Sequence, residues 1–211
     1  MKNLLLSSFL FILLFACKFG HYGKLKEATS NSGIPPTSIF GDKFNSFLFK
    51  TNITVYGKNF SGLLITKQLQ PNDFRVVFTT ELGMKLFDFG FKDTSFTLHY
   101  CVPQFNRPKL LKTIQNDIEV LLMNDLKNKQ IIDLVDKQGI FKIKKIQFAS
   151  YSNYYFVDSK SEQLVKIEKA NKRIKKNTFV LTNYINNFPS NIMITHHDIK
   201  LKIELNHLKK E

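Results

Sequence analysis

The residues of this chain with the most distinctive chemistry are its two cysteines, Cys17 and Cys101, and its five histidines. Thiolate and imidazole groups act as metal ligands, nucleophiles or general bases. The histidines lie at 21, 99, 196, 197 and 207, and the sequence contains no HExxH motif, no CxxC pair and no glycine-rich phosphate loop. His196 and His197 are adjacent, so in a strand they point to opposite faces and cannot chelate together. The sequence therefore predicts no metal site and no cofactor.

Nucleophilic and acid–base catalysis find equally little support. His99 and Cys101 are two apart in a predicted strand and share a face, but no third group that would orient them can be read from the sequence. Asp117 and Glu119 diverge on a predicted helix, so they form no carboxylate dyad. No serine lies in a G-x-S-x-G elbow. We expect a protein that is not an enzyme.

Cys17 stands at the end of an N-terminal apolar segment. Lys2 precedes a run from Leu4 to Phe15, and Ala16 comes directly before the cysteine. This order is typical of a secretory signal peptide. The run is too short for a transmembrane helix, which needs about 20 apolar residues. Residues 1–16 are therefore predicted to be a signal peptide.

The segment 14–17, Leu-Phe-Ala-Cys, resembles the lipobox of bacterial lipoproteins. The resemblance implies cleavage before Cys17, diacylglycerol on its sulfur, and acylation, such as with palmitate, of the new amino group. Two acyl chains already anchor a protein stably, so three would hold it on the membrane. The alternative is a plain signal peptide or N-terminal anchor that happens to end in cysteine. With Cys17 consumed, Cys101 has no disulfide partner, and we expect it to be a small buried apolar residue.

The chain is strongly basic, with a formal net charge of +14. In an exported protein this charge favours anionic headgroups or acidic partners, and we expect no nucleic acid to bind. A late turn concentrates the basic residues proposed to contact anionic lipid, which are Lys172, Arg173, Lys175 and Lys176. The alternative for this cluster is a solvated hairpin tip.

Residues 17–43 contain several Gly, Pro and Ser and little periodic apolar pattern. They are predicted to form a flexible tether behind the lipidated cysteine, with a reach of about 28 Å. Residues 44–211 are predicted to form one domain, since a mature chain of this length can bury a single core.

The domain shows the period of two that is typical of strands, interrupted once by a helical pattern. Leu110, Ile114, Ile118 and Leu121 recur at helical spacing, so a helix is predicted over about 107–127, with Asn106 as N-cap. Before it the pattern predicts strands over about 47–56, 60–69, 74–82, 84–91 and 95–102, and after it strands near 131–135, 140–149, 151–157, 162–168 and 178–186. One long last strand is predicted over 193–205, with Met193, Thr195, His197, Ile199, Leu201, Ile203 and Leu205 on one face.

This arrangement predicts a mainly β (α+β) fold with about eleven strands. A flat sheet of that size would curl or split, so we expect a curved antiparallel sheet whose concave side is closed by the helix. The many phenylalanines would line that concavity. The alternative is that a composition rich in Lys, Asn, Ile and Phe simply fills an ordinary core.

The turn Thr80-Glu81-Leu82-Gly83-Met84 places large apolar side chains at a tip. A single exposed leucine means little. Leu82 and Met84 together, beside Gly83, are candidates for a small wedge that enters a membrane or contacts a partner.

Two segments resemble the LolB branch of the LolA/LolB outer-membrane lipoprotein-localisation family. Residues 74–83, Phe-Arg-Val-Val-Phe-Thr-Thr-Glu-Leu-Gly, are similar to the family's strand that enters a Pro-Leu-Gly turn, with Glu81 where the family has proline. Residues 188–192 and 199–203 are similar to its closing strands. The resemblance implies an unclosed antiparallel half-barrel with a helical lid over an apolar cavity.

The resemblance also implies a function, which is to receive the acyl chains of lipoproteins from a soluble periplasmic carrier and insert them at the outer membrane. Leu82 would be the protruding apolar residue that aids insertion. The cavity candidates are Phe74, Val76, Phe78 and Phe96 on the strands, with Ile114, Ile118 and Leu121 on the helix. Lys18 follows the cysteine, so no acidic retention residue is present, and we expect a monomer on the periplasmic side of the outer membrane. The alternative is a non-enzymatic structural or interaction lipoprotein on the same fold, without transport activity.

Overall fold

A computed structural model describes residues 22, 25–28, 32–40, 45–126, 129–171 and 174–208. Cys17, the signal peptide, Lys172 and Arg173 lie outside these residues. None of the described helices is long and apolar enough to cross a bilayer.

The described chain forms thirteen strands, one α-helix and one short 3₁₀-helix. The strands are Lys26–Glu27 (β1), Ser46–Val55 (β2), Lys58–Gln70 (β3), Asp73–Thr79 (β4), Lys85–Lys92 (β5), Ser95–Cys101 (β6), Ile131–Val135 (β7), Phe141–Gln147 (β8), Ser152–Asp158 (β9), Leu164–Ala170 (β10), Lys175–Ile185 (β11), Phe188–His196 (β12) and Leu201–His207 (β13). The α-helix is Pro108–Leu121 (α1), and the 3₁₀-helix is Asn124–Leu126.

All thirteen strands belong to one antiparallel sheet with the order β1-β7-β8-β9-β10-β11-β12-β13-β2-β3-β4-β5-β6. Most neighbours are consecutive in the chain because short turns join them. The exceptions are the pairing of β1 with β7 and the pairing of β13 with β2, and the second of these joins the two halves of the sheet. Within the described residues β1 and β6 are the two edges, and no pairing closes the sheet into a barrel. The predicted unclosed antiparallel sheet with a helical lid is confirmed.

The alternation of strand directions sorts the turns between two ends of the sheet. The turns that follow β2, β4, β8, β10 and β12 lie at one end, which we call the Leu82 end because Leu82 is in the turn after β4. The turns that follow β3, β5, β7, β9 and β11 lie at the opposite end. Only loops at the same end of the sheet can contact one surface together.

The two faces of the sheet are covered differently. The concave face carries the main core, which includes the buried Phe49, Phe78 and Phe89 and the apolar stripe of α1. A smaller cluster on the other face of β7 to β10 contains Ile143 and Tyr154. Neighbouring strand residues alternate between the two clusters, as period-two geometry requires.

The N-terminal segment covers the smaller cluster, so the expected tether is not free along its described part. The Tyr22 ring stacks on Tyr154 at 4.1 Å between centroids, and its hydroxyl donates to Glu168 at 2.8 Å. β1 then pairs with β7, and Ser32 donates to Asp133 from both its amide and its hydroxyl at 2.6 Å. Phe40 reaches the main core. The flexibility predicted for the other residues of 17–43 lies outside the described residues and stays a prediction.

The predicted long last strand was wrong. The chain makes two strands, β12 and β13, joined by a turn at 197–200 that shifts the alternation by one residue. Ile192 and Ile194 are buried in β12, whereas Leu201 and Ile203 are buried in β13. Met193, expected on the same face as Leu201, is 41% exposed.

The helix is shorter than predicted, because α1 ends at Leu121 and a turn leads into the 3₁₀-helix. Its N-cap is Arg107 rather than Asn106, without a side-chain capping bond, and Pro108 occupies the first turn. Proline costs little there, since the first amides of a helix have no partner within the helix.

Candidate functional site

The candidate site is the interface between the concave face of the sheet and α1. The structure brings together all seven predicted cavity residues in the main core: Phe74, Val76, Phe78, Phe96, Ile114, Ile118 and Leu121. Six of them are buried, and Phe96 is partly buried against the same cluster. Period-two and helical spacing thus placed these residues in one shared core, and their role as the lining of a lipid cavity stays a prediction.

The interface is closed in this structure. An open cavity would leave surface accessible on the side chains that line it, but Phe78 and Phe89 expose none, and Val76 and Ile114 expose about 1% of theirs. Close ring contacts fill the space, such as the stack of Phe87 on Phe89 at 4.4 Å between centroids. An acyl chain can therefore enter between sheet and helix only if α1 moves.

A buried polar cluster fastens α1 to the sheet. Asp117 on the helix accepts hydrogen bonds from Asn177 Nδ2 on β11 at 3.0 Å and shares a 2.8 Å hydrogen bond with His196 Nε2 at the end of β12. The side chains of Asp117 and His196 are both buried. We call Asp117, Asn177 and His196 the lid cluster, since it is a polar contact between the helix and two strands.

Burial and hydrogen bonding have opposite effects on the pKa of Asp117 in the lid cluster. Burial raises the pKa of Asp117, and this effect outweighs the hydrogen bonds from His196 and Asn177 and the nearby charge of Lys169. Among the described residues, Asn177 Oδ1 has no hydrogen-bond partner. A buried oxygen without a partner costs free energy, so this closure is less stable than a fully satisfied one.

Sequence reasoning missed the lid cluster. It placed Asp117 on the helix but expected no partner, because His196 is 79 residues away. One signal was present: Asp117 lies three residues after Ile114 and four before Leu121, inside the apolar stripe. A carboxylate at such a position needs a partner when it is buried.

The Leu82 turn protrudes from the sheet as the sequence indicated. Leu82 is 99% exposed and Met84 is 62% exposed. Thr80 fixes the loop, because its amide donates to the Met84 carbonyl at 2.8 Å and its carbonyl accepts from the Gly83 amide at 2.9 Å. Gly83 has a φ of +85°, which suits glycine and few other residues. The turn thus holds an apolar side chain fully in solvent.

The described lysines of the basic cluster, Lys175 and Lys176, are partly buried and do not form a fully solvated hairpin tip. Lys175 binds Glu168 at 2.6 Å, and Lys176 is half-buried near the start of β11. Glu168 accepts from Lys175 and Tyr22, and these bonds lower its pKa although burial opposes them. Lys172 and Arg173 lie outside the described residues.

The thiol and imidazole candidates do not converge. Cys101 is half-buried at the end of edge strand β6, where we had expected full burial, and burial raises its pKa to about 11. His99 is exposed on the same strand. His197 meets Thr178 at 3.0 Å, away from buried His196. No group of three His, Cys, Asp or Glu side chains within the described ranges could hold a metal ion.

Comparison with known proteins adds information on the fold alone. No family model matches the sequence, and no curated protein is significantly similar to it. A solved domain from Vibrio parahaemolyticus, described as belonging to an outer membrane lipoprotein-sorting protein, superposes with a TM-score of 0.51 at 11% identity, covering 80% of this chain and 85% of that one.

Two further solved structures are similar at lower scores. A LolA superfamily protein from Nitrosomonas europaea gives a TM-score of 0.49 at 8% identity, covering 78% of this chain and 84% of its own. A DUF1329 family protein from Desulfovibrio piger gives 0.48 at 7% identity, covering 80% and 85%. The open antiparallel sheet closed by a helix is thus the fold of the lipoprotein-sorting domain from Vibrio, and at this identity the likeness reaches no further than the fold.

Proposed function

We propose that the chain is a lipid-anchored, non-enzymatic protein of the outer membrane, facing the periplasm, that binds acyl chains between the concave face of its sheet and α1. The observation that carries this proposal is the construction of the interface. A concave surface rich in phenylalanine is covered by a single amphipathic helix. Apolar interiors under a movable cover are suited to lipid chains, which need contact area more than directional bonds.

The lid cluster supports this proposal because it gives the helix a defined point of release. Opening α1 would expose the rings beneath it, and an acyl chain would then replace the apolar contacts of the helix at about 0.8 kcal/mol per buried CH₂. The polar contacts of Asp117 with His196 and Asn177 would have to break first.

The Leu82 turn supports delivery at a membrane. Leu82 is an apolar side chain held in solvent by a rigid turn. The proposed anchor at Cys17 would keep this turn near a bilayer, and the acyl chains of a lipoprotein would pass from a soluble periplasmic carrier through the opened interface. The fold likeness to a lipoprotein-sorting domain supports this reading as an analogy.

The binding step is tested with the full acylated chain. Lipids that copurify with the chain are identified by mass spectrometry, and displacement of a fluorescent fatty acid by unlabelled chains is then measured. We expect saturable binding that Ile114→Glu abolishes, since a carboxylate at the sheet–helix interface excludes a lipid chain. Ile140→Glu is the control, because Ile140 is exposed in a turn at the opposite end. Equal binding by both variants would place the ligand elsewhere.

The delivery step is tested separately with Leu82→Glu. Because Leu82 is exposed, the substitution should leave folding and fatty-acid binding unchanged but slow the release of a lipoprotein from its carrier into vesicles. Normal release by a folded Leu82→Glu variant would remove the wedge role while leaving acyl binding intact.

A second candidate function is favoured by the closed interface. Because the described core residues are packed against each other, the same fold could serve as a structural or interaction lipoprotein whose interior is only a core. The absence of saturable fatty-acid binding, together with the absence of copurified lipid, would refute acyl-chain binding and favour this second function.

A further inference from the structure

The docking of Tyr22 constrains how the domain can sit on a membrane. Tyr22 lies against Tyr154 and Glu168, which are paired with each other across β9 and β10. Tyr154 is the third residue of β9, which begins at the Leu82 end of the sheet. Cys17 lies five positions before Tyr22, and an extended chain spans at most about 3.6 Å per residue. A lipid on Cys17 would therefore enter the bilayer within about 18 Å of Tyr22.

Aromatic, apolar and basic side chains meet at the nearby sheet end. Phe148 and Tyr151, in the turn after β8, stack at 4.5 Å between centroids. Tyr151 and Ile174, the latter in the turn after β10, line one cleft of about 410 Å³ together with Lys145. Ile174 is 59% exposed. Such a group of an exposed aliphatic residue and partly exposed rings is typical of a membrane–water interface.

Three lysines surround these apolar side chains. Lys129 Nζ lies 5.5 Å from the centre of the Phe148 ring. Lys145 shares the first cleft, and Lys176 lines a second cleft of about 230 Å³ that also reaches Tyr151. Within the described chain, none of the three has a carboxylate within 4.0 Å. We call Phe148, Tyr151, Ile174, Lys129, Lys145 and Lys176 the end patch.

The opposite end of the same strands has no comparable excess of positive charge. Its turns carry Asp136 and Glu162 with Lys137 and Lys160, while Asp158 ends β9 and Lys142 binds Glu162 at 2.8 Å. An anionic surface attracts each nearby cation and repels each carboxylate. Charge therefore favours the end patch as the end that faces an anionic bilayer.

We propose that the end patch rests on an anionic phospholipid surface and forms a membrane contact of its own beside the Leu82 turn. Both features lie in or beside turns at the same end of the sheet, so both are on the side that the anchor would hold toward the bilayer. This inference rests on the lipid anchor of the proposed function but not on acyl-chain binding. The domain would stand with its strand ends toward the membrane rather than tumbling on a tether.

The test uses the full acylated chain, reconstituted in phosphatidylcholine vesicles with or without phosphatidylglycerol. An environment-sensitive fluorophore is placed on Ile174→Cys, and the matched control is Ile140→Cys at the opposite end. Both variants carry Cys101→Ser, so that the fluorophore labels only the introduced cysteine. Native Cys101 would react slowly in any case, because burial raises the pKa of its thiol. We expect bilayer-embedded quenchers to act several-fold more strongly at position 174 than at 140, and only when phosphatidylglycerol is present.

Charge reversal separates the end patch from the anchor. Lys129→Glu/Lys145→Glu/Lys176→Glu should remove the extra quenching at position 174, whereas Lys137→Glu/Lys160→Glu should not. Equal quenching at 174 and 140, or quenching insensitive to the triple reversal, would overturn the proposal. Mass measurement of the N-terminal peptide reports acylation of Cys17 independently, so failure of the anchor is distinguished from failure of the end patch.

Discussion

The lid cluster gives the sharpest prediction about the molecule. His196→Leu removes the imidazole that shares a 2.8 Å hydrogen bond with buried Asp117. Asp117→Leu removes the carboxylate and leaves His196 and Asn177 without their acceptor. The double variant Asp117→Leu/His196→Leu replaces the pair with apolar side chains in a site that already contacts the main core.

The expected magnitudes follow from burial. Removing one partner of a buried pair costs about 3–5 kcal/mol when the other stays charged. Because burial already raises the pKa of Asp117, this carboxyl can take up a proton, so we expect about 3 kcal/mol for His196→Leu. Asp117→Leu should cost about 2–4 kcal/mol through the donors it leaves unpaired. The double variant should cost only about 1–2 kcal/mol, so the two changes are far from additive.

Urea unfolding measures these differences. With a slope of about 2–3 kcal/mol per molar urea, a 3 kcal/mol loss lowers the unfolding midpoint by about 1–1.5 M. His197→Leu is the matched control, since the exposed imidazole of this neighbour contacts Thr178 near the surface and its loss should change stability by less than about 0.5 kcal/mol. Amide exchange in α1 should accelerate in His196→Leu. A double variant that costs the sum of both single changes would refute the coupling between helix and sheet.

Three other perturbations test contacts elsewhere in the sheet. Gly62→Ala should destabilise by about 3 kcal/mol or prevent folding, because an added Cβ would lie 1.9 Å from the Thr79 carbonyl oxygen; thermal unfolding measures this. Burial raises the pKa of Asp88, but the bonds from Arg75 and Lys85 outweigh burial and lower this pKa below the ordinary 3.8. The stability supplied by these bonds is therefore complete above pH 3.8 and is lost as the pH falls through the lower pKa of folded Asp88. When unfolding is followed during acid titration, Asp88→Asn should lose less stability than the wild type. Tyr22→Ala should cost about 1–2 kcal/mol and speed limited proteolysis of the N-terminal segment, whereas unchanged cleavage would mean that the docked ring does not hold it.

Much of the fold could be predicted because its strands are local and one face of most is buried. Phe74, Val76 and Phe78 alternate with more exposed residues in β4, and the same rule located most other strands. The break between β12 and β13 escaped notice because its turn contains neither glycine nor proline. Met193 and Leu201 therefore looked like members of one alternating series.

The unpredicted contacts are those between residues distant in sequence. Tyr22 meets Glu168 across 146 residues, and no local periodicity marks a segment that docks through two or three side chains. The same reason hid the partner of Asp117. The exposed Leu82 was predictable because a tight turn is a local structure, but its role depends on a membrane that the sequence does not specify.

The seam between β13 and β2 has a consequence for the order of folding. β2 to β6 and β7 to β12 are each built from hairpins that close over short turns, so each half can form while the chain is still being made. Within the described chain these two groups of strands are joined through residues 201–207, which are synthesised after both of them. Until then β2 and β12 both present open strand edges, which can join other chains. Pairing of β13 thus joins the two groups of strands and at the same time covers the open edges of β2 and β12.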